Sequence, residues 1–563
     1  MNQSCTTCSN HFEIHERDQF FYQQVAPRIA SKQFALPLPS QCPDCRRQRR
    51  LAFRNENNLY SRPCDLCHKN IISIYSPDKT YPVYCADCFW SERWDAFGYG
   101  QDFDFTKPFF EQFQTLFESV PKLGLIIAEN ENADYNNSGA FFKNCYLCFD
   151  GAHAQDSYYG ETFQNIRDCV DFLCLQDSEL CYQCVNCINS YQLFYSSFSQ
   201  HCSDSYFLSD CSSCKNCFGC INLHQKQYYI FNQPHSKEDY EAFIANQDVG
   251  SHQYVEAMKV KVNQLFSTYP RRAYRGTAND QVSGDNIVHC HQSYDNYDCK
   301  DMADCSYCTQ VISKAANCQD IDKWGENISW CFNSSGVGNN AQNVLCSYYA
   351  TFNADSILYS AFCWHGCSQL FGCVGLNRQK SYCILNKQYT KEAYEALVPQ
   401  IIAHMQKTGE WGQFFPPHLS AFGYNESVAQ EYYPLTKDGA QQADYHWSDY
   451  STAKLGSDAV EASQSPDRIT DCPDSILSTI ITCPVSHKHF RITKPELQFY
   501  RTHSIPLPHL HPTERNRYLK NQKNPRQLWQ RMCAQCQKSI TSSYAPTSAA
   551  TVYCEECYQK VIV

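Results

Sequence analysis

The chain has 563 residues, 37 of them cysteine, with 14% aromatic residues and a formal net charge of −11. That length admits several domains of about 150 residues each, and no stretch approaches the roughly 20 apolar residues of a membrane span. The acidic balance argues against a protein that coats nucleic acid over its whole surface. The start, MNQSCTTCSN, has neither a charged head nor an apolar core, so it reads as no signal peptide. An odd cysteine total with many Cys-x-x-Cys pairs reads as reduced thiols and metal ligands in the cytosol, not as a secreted disulfide scaffold.

Residues 1–95 read as tandem metal modules. The run Cys64-x2-Cys67-x17-Cys85-x2-Cys88 is one set, and Cys5-x2-Cys8 lies upstream of Cys42-x2-Cys45. Two knuckles of this kind supply four thiolates for a closed tetrahedral zinc site. Arg46, Arg47, Arg49 and Arg50 crowd behind the first set. Arginine on a metal-fixed fold suits phosphate contact, which makes nucleic acid or the ribosome one expected partner class and a protein the other. The alternative is that these arginines pair with the acidic body of the same molecule. Residues 96–137, with FTKPFFEQFQTLFESV, read as a connecting helical segment.

Residues 138–250 carry the dominant pattern. From Gly139 to Leu223 every third residue is apolar or small, for 29 positions without a charge, and eleven of the twelve cysteines there obey the frame, Cys174 alone breaking it. A helix repeats every 3.6 residues and a strand every two. A sustained period of three requires a chain that coils repeatedly around a narrow axis, akin to the hexapeptide β-helices. Asn and Asp flank the frame (Asn144, Asp150, Asp156, Asp168, Asn186, Asp204), as tight corners require. The coil length stays open: a coil of eighteen would stack Ile166, Cys184, Cys202 and Cys220, and one of about fifteen would align Ser190-Tyr191 with Ser205-Tyr206. The run Cys211-x2-Cys214-x2-Cys217-x2-Cys220 invites an iron–sulfur reading, but the same frame continues through Ser, Leu and Gly, which favours core filler.

A helical connector follows at 251–283, and the solenoid returns at 284–405: FGCINLHQKQYYIFNQPHSKEDYEAF recurs as FGCVGLNRQKSYCILNKQYTKEAYEAL, offset by 153 positions. In this second lobe Cys290, Cys299, Cys305 and Cys308 keep one frame and Cys331, Cys346, Cys367 and Cys373 another. Ser236-Lys237-Glu238 and Thr390-Lys391-Glu392 are helix-start signals that place a capping helix on each lobe. His289-Cys290-His291 and Trp364-His365-Gly366-Cys367 offer metal ligands or a Cys/His nucleophilic pair, without an assignable orienting carboxylate. Residues 406–471 read as an aromatic arm (EWGQFFPPHLSAFGY) that wraps the core, then a polar linker from Ser448 to Asp471.

The last segment, 472–563, repeats the first. Cys533-x2-Cys536 and Cys554-x2-Cys557 keep the same x17 gap, and HFEIHERDQFFY aligns with HFRITKPELQFY. That alignment sets Cys5 on Cys483, Cys8 on Ser486, Cys42 on His511 and Cys45 on Glu514. Both knuckles of one site lost thiols together, so Cys5 and Cys8 pair with Cys42 and Cys45. A fourth, altered site would draw on Cys483, His487, His509 and His511. Arg515 and Arg517 beside it join the candidate nucleic-acid contacts.

With CTTC…FEI…DQFFY…LPLPSQCPDCRRQRR, ISIYSPDKTYPVYC and EWGQFFPPHLSAFGYNES on view, the chain resembles a family of large cysteine-rich zinc-ribbon proteins of candidate-phyla bacteria. The N-terminus is similar to zinc-ribbon or treble-clef domains. The resemblance covers nearly the whole chain and implies an intracellular bacterial protein. Some members carry a CoA-transferase label, which no residue pattern here supports. The expected fold class is mainly β: a duplicated cysteine-rich β-solenoid-like core with short capping helices, flanked by zinc-ribbon/treble-clef modules at both ends. The expected function is a non-enzymatic, zinc-stabilised cytoplasmic scaffold or binding protein with about three zinc ions, four if the altered site is filled, and no catalytic residue. The competing reading is an iron–sulfur or thiol-based redox metalloprotein using the solenoid cysteines.

Overall fold

The computed structural model describes residues 1–450 and 458–562. It is mainly β, with a parallel β-solenoid in each of two compact units and cysteine clusters toward both chain ends. The units interleave along the sequence: one comprises Met1–Gly124, Tyr274–Tyr450 and Arg526–Leu528, the other Leu125–Ala273, Ser451–Pro525 and Trp529–Val563. Each unit therefore combines one solenoid lobe with the metal modules from the far end of the chain. Along the chain the sequence divides into seven consecutive segments, 1–95, 96–137, 138–250, 251–283, 284–405, 406–471 and 472–563.

The first lobe repeats every twelve positions, neither eighteen nor fifteen. Gly139 pairs with Gly151, Gly151 with Phe163, Phe163 with Leu175, and the same step carries Tyr191 to Ser203 and Ser203 to Lys215, all in parallel. Each coil has four corners, because every third residue adopts a left-handed backbone with φ near +50° to +60°, one place before each inward residue. Such a conformation costs most L-residues roughly 1–2 kcal/mol and Asn or Asp least. Asn144, Asp150, Asp156, Asp168, Asn186 and Asp204 all stand at these corners. Corner side chains of successive coils then bond one coil apart, as in Asn144 Nδ2 to Asp156 Oδ1 at 2.9 Å and Asn165 Nδ2 to Asp177 Oδ1 at 2.8 Å.

The inward frame positions fill a thin core of Cys, Ser, Gly and apolar side chains. A glycine in one coil makes room for an aromatic ring in the next: a Cβ on Gly160 would lie 1.9 Å from the Phe172 ring. Gly160→Val is expected to destabilise this unit by about 1–3 kcal/mol through overpacking, read as a lower denaturant midpoint, and Phe172→Ala on that background should recover part of the loss.

The second lobe opens on a step of eleven, Gly276 to Ile287, takes the step of twelve after an irregularity at Val282–Gly284, as from Ile287 to Cys299, and lengthens to thirteen from Met302↔Ala315 onward. The additional residue sits at one corner, where two consecutive residues are left-handed: Ser313–Lys314, Glu326–Asn327, Asn339–Asn340, Phe352–Asn353, His365–Gly366 and Arg378–Gln379. Each coil therefore shifts the inward frame by one, which is why Cys305, Cys318 and Cys331 share a column although they occupy three frames in sequence. It also corrects the two-frame reading. Cys346 is itself a corner residue with φ +48°, not an inward one.

Each lobe ends in an antiparallel hairpin, Gln227–Ile230 with Gln233–Pro234 and Ser381–Ile384 with Lys387–Gln388. The helices Lys237–Ala245 and Lys391–Thr408 follow, with Ser236 Oγ and Thr390 Oγ1 accepting the amides of Asp239 and Ala393. A hairpin and a helix cover the last ladder, which would otherwise template further strands. The helix His252–Ser267 buries Val255, Met258, Val262 and Phe266 against Phe218 and Ile221 of the first lobe. In the other unit the helix Phe109–Ser119 lays Phe109 on Tyr359 and Phe371 of the second lobe, ring centroids 5.4 and 5.5 Å apart. The aromatic arm locks that helix: Glu410 accepts the amides of Phe109 and Phe110 at 2.9 and 2.7 Å, and Phe415 lies 4.6 Å from Phe113. Of the expected linker Ser448–Asp471, residues 451–457 lie outside the described residues. Its remainder is not a free spacer, since Val460–Glu461 pairs with Ile481–Thr482 and Ala462 and Ile469 are buried.

Candidate metal centres

Three groups of four cysteines converge, Cys5/Cys8/Cys42/Cys45, Cys64/Cys67/Cys85/Cys88 and Cys533/Cys536/Cys554/Cys557, with the sulfurs of each group within 4.8 Å of one another. Each is built the same way. A short hairpin carries the first knuckle: Tyr60–Pro63 with Asn70–Ser73 precedes and follows Cys64 and Cys67, and Trp529–Met532 with Ser539–Ser542 does so for Cys533 and Cys536. A left-handed residue, Ser9, His68 or Gln537, closes each knuckle turn. The second knuckle opens a helix, with Cys42, Cys85 and Cys554 at its N-cap position.

The distances match a tetrahedral thiolate site. An ion bound at about 2.3 Å by four sulfurs separates them by about 3.8 Å, whereas a disulfide brings two to about 2.05 Å. Cys8–Cys42 and Cys67–Cys85 are 3.8 Å apart and Cys536–Cys554 3.7 Å, and none of the 37 cysteines is in a disulfide. One sulfur per site also accepts an amide of the opposite knuckle: Cys42 N to Cys5 Sγ, Cys85 N to Cys64 Sγ and Cys554 N to Cys533 Sγ at 3.3, 3.3 and 3.2 Å. Burial opposes ionisation there, yet the amide donors bring the Cys64 and Cys533 thiols down to about 6. Each pocket thus favours one of the thiolates a metal requires, at Cys5, Cys64 or Cys533.

The altered fourth knuckle keeps its backbone and loses its donor set. Cys483 N still donates to Lys488 O at 2.9 Å, His487 N to Cys483 O at 3.0 Å, and His487 is left-handed like its counterparts. His511 Nδ1 instead accepts the amide of Thr513 within its own helix start, and the His509 ring stacks on His252 at 3.6 Å. Glu514, in the position of Cys45, is buried and pairs with Arg517 at 2.7 Å. Cys483, His487, His509 and His511 form no converging ligand group among the described residues.

Most of the arginines nominated for nucleic acid are committed inside the fold. Arg46 Nε meets Asp320 at 2.9 Å, Arg50 meets Asp322 at 2.5 Å and Asp320 at 3.2 Å, and Arg47 pairs with Asp44 at 3.2 Å; Arg47 and Arg50 are fully buried. Arg515 pairs with Asp171 at 2.7 Å, again buried. Arg49 is half-buried, and Arg517, though exposed, is held by Glu514. The acids they meet include Asp171 and Asp320, each at a corner of its own lobe where a module docks.

The two docks share a set of equivalent residues, although Arg47 and Arg50 have Asn516 and Leu519 in their places. Arg46 aligns with Arg515 and Asp18 with Glu496. Tyr307 OH donates to Asp18 at 3.1 Å and Tyr159 OH to Glu496 at 2.9 Å, while Arg46 and Arg515 lie over the Tyr307 and Tyr159 rings. On each lobe the tyrosine and the acid meeting the arginine are one coil apart, twelve positions from Tyr159 to Asp171 and thirteen from Tyr307 to Asp320. The offset between lobes is 148 positions at this tyrosine and 153 at Cys220, the five double corners between Tyr307 and Cys373 supplying the difference.

The solenoid thiols act as buried donors. Cys211, Cys214, Cys217 and Cys220 face inward on the four sides of one coil, and each sulfur lies 3.4 to 3.7 Å from the carbonyls two places before it and nine places after it. Inward serines make the same bond, as in Ser178 Oγ to Gln176 O at 2.8 Å. Burial pushes the Cys211 and Cys184 thiols well above their ordinary range. Cys174, the frame breaker, is a corner residue that accepts Lys523 Nζ at 3.5 Å. His289 and His365 occupy outward corners while Cys290 and Cys367 face inward, so neither pair can work as a nucleophile and its base.

No family model and no curated protein matches the chain. Among solved structures it is similar to a crystal structure described as a candidate acetyltransferase from Desulfovibrio desulfuricans G20, at 9% identity, covering 50% of this chain and 82% of that one with a TM-score of 0.10. A likeness at that score carries no argument about fold or activity.

Proposed function

We propose that the protein is a zinc-stabilised scaffold of the cytosol that binds a macromolecular partner, a protein or a nucleic acid such as the ribosome's. The observation that supports this most is the use made of its reactive-looking residues: inward thiols donate to carbonyls, buried arginines hold modules to lobes, and twelve cysteines are gathered into three tetrahedral sets. Zinc suits those sets because it takes four thiolates without redox chemistry or geometric preference, and the spacing resembles zinc-ribbon and treble-clef knuckles. Bound there, zinc would supply a fixed cross-link, and the chain's own hairpins and helices would position the surface around it. No helix among the described residues is long and apolar enough to cross a membrane.

Elemental analysis of the purified chain, with its visible absorption spectrum, tests the reading. About three zinc ions per chain, no iron and no visible band are expected. Iron with a charge-transfer band would overturn it and transfer the function to the thiol ring of Cys211, Cys214, Cys217 and Cys220. The partner class is separable by salt titration of binding to a random RNA: a steep loss of affinity with salt marks phosphate contact, and no binding at low salt points to protein.

A further inference from the structure

Three thiolate clusters of one design differ in what surrounds their sulfurs. At the middle cluster Arg93 Nη2 donates to Cys88 Sγ at 2.7 Å. At the first, the sulfurs meet backbone amides and one another. The C-terminal cluster aligns with the middle one, Cys88 on Cys557, which puts Ile562 where Arg93 stands. Among the described residues, no arginine or lysine donates to Cys533, Cys536, Cys554 or Cys557, whose sulfurs meet only backbone amides and one another. Its Cys536 is exposed, as is the equivalent Cys8 of the first cluster, whereas the equivalent Cys67 is half-buried.

Four thiolates around a divalent ion leave a net charge of −2 on the centre. A guanidinium bonded to one sulfur halves that charge and withdraws electron density, and partners of this kind commonly shift metal affinity or reactivity by 10- to 100-fold. The thiolate, once accessible, is the nucleophile of cysteine chemistry. We propose that the C-terminal four-cysteine centre is a hydroperoxide-reactive zinc–thiolate site, with Cys536 as attacking sulfur and Cys554 as resolving sulfur, and that Arg93 keeps the middle centre inert. This rests on the zinc reading above.

In the first step Cys536 sulfur attacks the terminal oxygen of the hydroperoxide, the O–O bond breaks, the alkoxide leaves and a sulfenic acid forms. Cys554, 3.7 Å away, then attacks that sulfur, expels hydroxide and closes a disulfide. Two electrons pass from the two thiolates to the peroxide, and zinc loses two of its four ligands. The structural consequence is local. Val552–Tyr553, just before Cys554, pairs with Arg271–Arg272 in the same unit, and Arg272 grips Glu555 at 2.5 Å. Zinc loss therefore loosens the strand that leads into the second lobe.

The test uses the full chain, first shown by elemental analysis to be loaded with three zinc ions, treated with limiting hydrogen peroxide. Zinc release is followed with a chromogenic chelator and each cysteine is assigned by differential alkylation and mass spectrometry. Zinc should leave the C-terminal centre together with a Cys536–Cys554 disulfide, about 10-fold faster than zinc from the middle centre. Arg93→Leu should bring the middle centre level with it, and Arg93→Lys should keep most of the protection. Release from the middle centre ahead of or level with the C-terminal one, or an Arg93→Leu chain that behaves like the parent, would each overturn the proposal. A chain that arrives with empty cysteine clusters overturns the zinc reading itself, which separates the two failures.

Discussion

Cys64→Ser is expected to unfold residues 60–90 while leaving the solenoid ladders protected. The middle module has little apolar core of its own, its buried cluster being Cys64, Tyr84, Cys88, Phe89 and Leu123. Structural zinc sites contribute apparent free energies of roughly 10–16 kcal/mol, which matches or exceeds the roughly 5–15 kcal/mol that holds a typical domain together. The loss should spread along specific bonds. Val83–Tyr84 pairs in parallel with Lys122–Leu123, Gly124 N donates to Tyr84 O at 2.8 Å and Ile74 N to Gly124 O at 2.9 Å. Hydrogen exchange should therefore lose protection at 83–84 and 122–124 together. Lys122 should also be released, since its buried ammonium now donates to Phe117 O and Val120 O at the end of the helix Phe109–Ser119. Desolvation holds that group down to about 7. The Phe109–Ser119 helix, held by Glu410 and Phe415, should keep its own protection. Unchanged protection at 83–84 after zinc loss would show that the module folds without metal.

How far the chain could be read in advance follows from what a period can and cannot encode. A residue every three fixes the corners, because the inward side chain and the left-handed residue before it are local properties of Asn144-Cys145 or Asp168-Cys169. It leaves the number of corners per coil unspecified, since coils of twelve, fifteen and eighteen are all whole multiples of three. The second lobe hid its rule better: one extra residue per coil scatters a single column such as Cys305, Cys318 and Cys331 over all three frames. The helix starts at Ser236 and Thr390 and the three four-cysteine sets were legible because a cap and a knuckle are each decided within a few residues.

The partners of the arginines were hidden for the opposite reason. Arg46, Arg50 and Arg515 are basic and clustered in sequence, as a phosphate-binding surface would be, but their partners Asp320, Asp322 and Asp171 lie 274, 272 and 344 positions away. Nothing local announces such a pair. The signal was the duplication itself: Asp18, Arg46 and Tyr307 recur as Glu496, Arg515 and Tyr159, and a polar triad kept across two copies that diverge around it implies a shared contact.

Asp320→Leu should strongly destabilise the docking of the first metal module on the second lobe. It strips the acid that Arg46 meets at 2.9 Å and Arg50 at 3.2 Å, leaving two guanidinium groups in a site from which water is excluded. Removing one partner of a buried pair costs about 3–5 kcal/mol, because the remaining charge is uncompensated, not because the pair was strongly stabilising. Arg50 retains Asp322, so the greater share of the loss should fall on Arg46. Replacing both sides as Arg46→Met with Asp320→Leu should then recover most of the stability, since similar-volume apolar pairs often match buried ion pairs. The equivalent Asp171→Leu, with Arg515→Met as its compensating change, supplies the control in the other unit. Denaturation followed by hydrogen exchange should show each single variant lowering the protection of its own lobe and module only. A double variant no more stable than Asp320→Leu would mean that the ion pair itself, and not the cost of an orphaned charge, holds the module to the lobe.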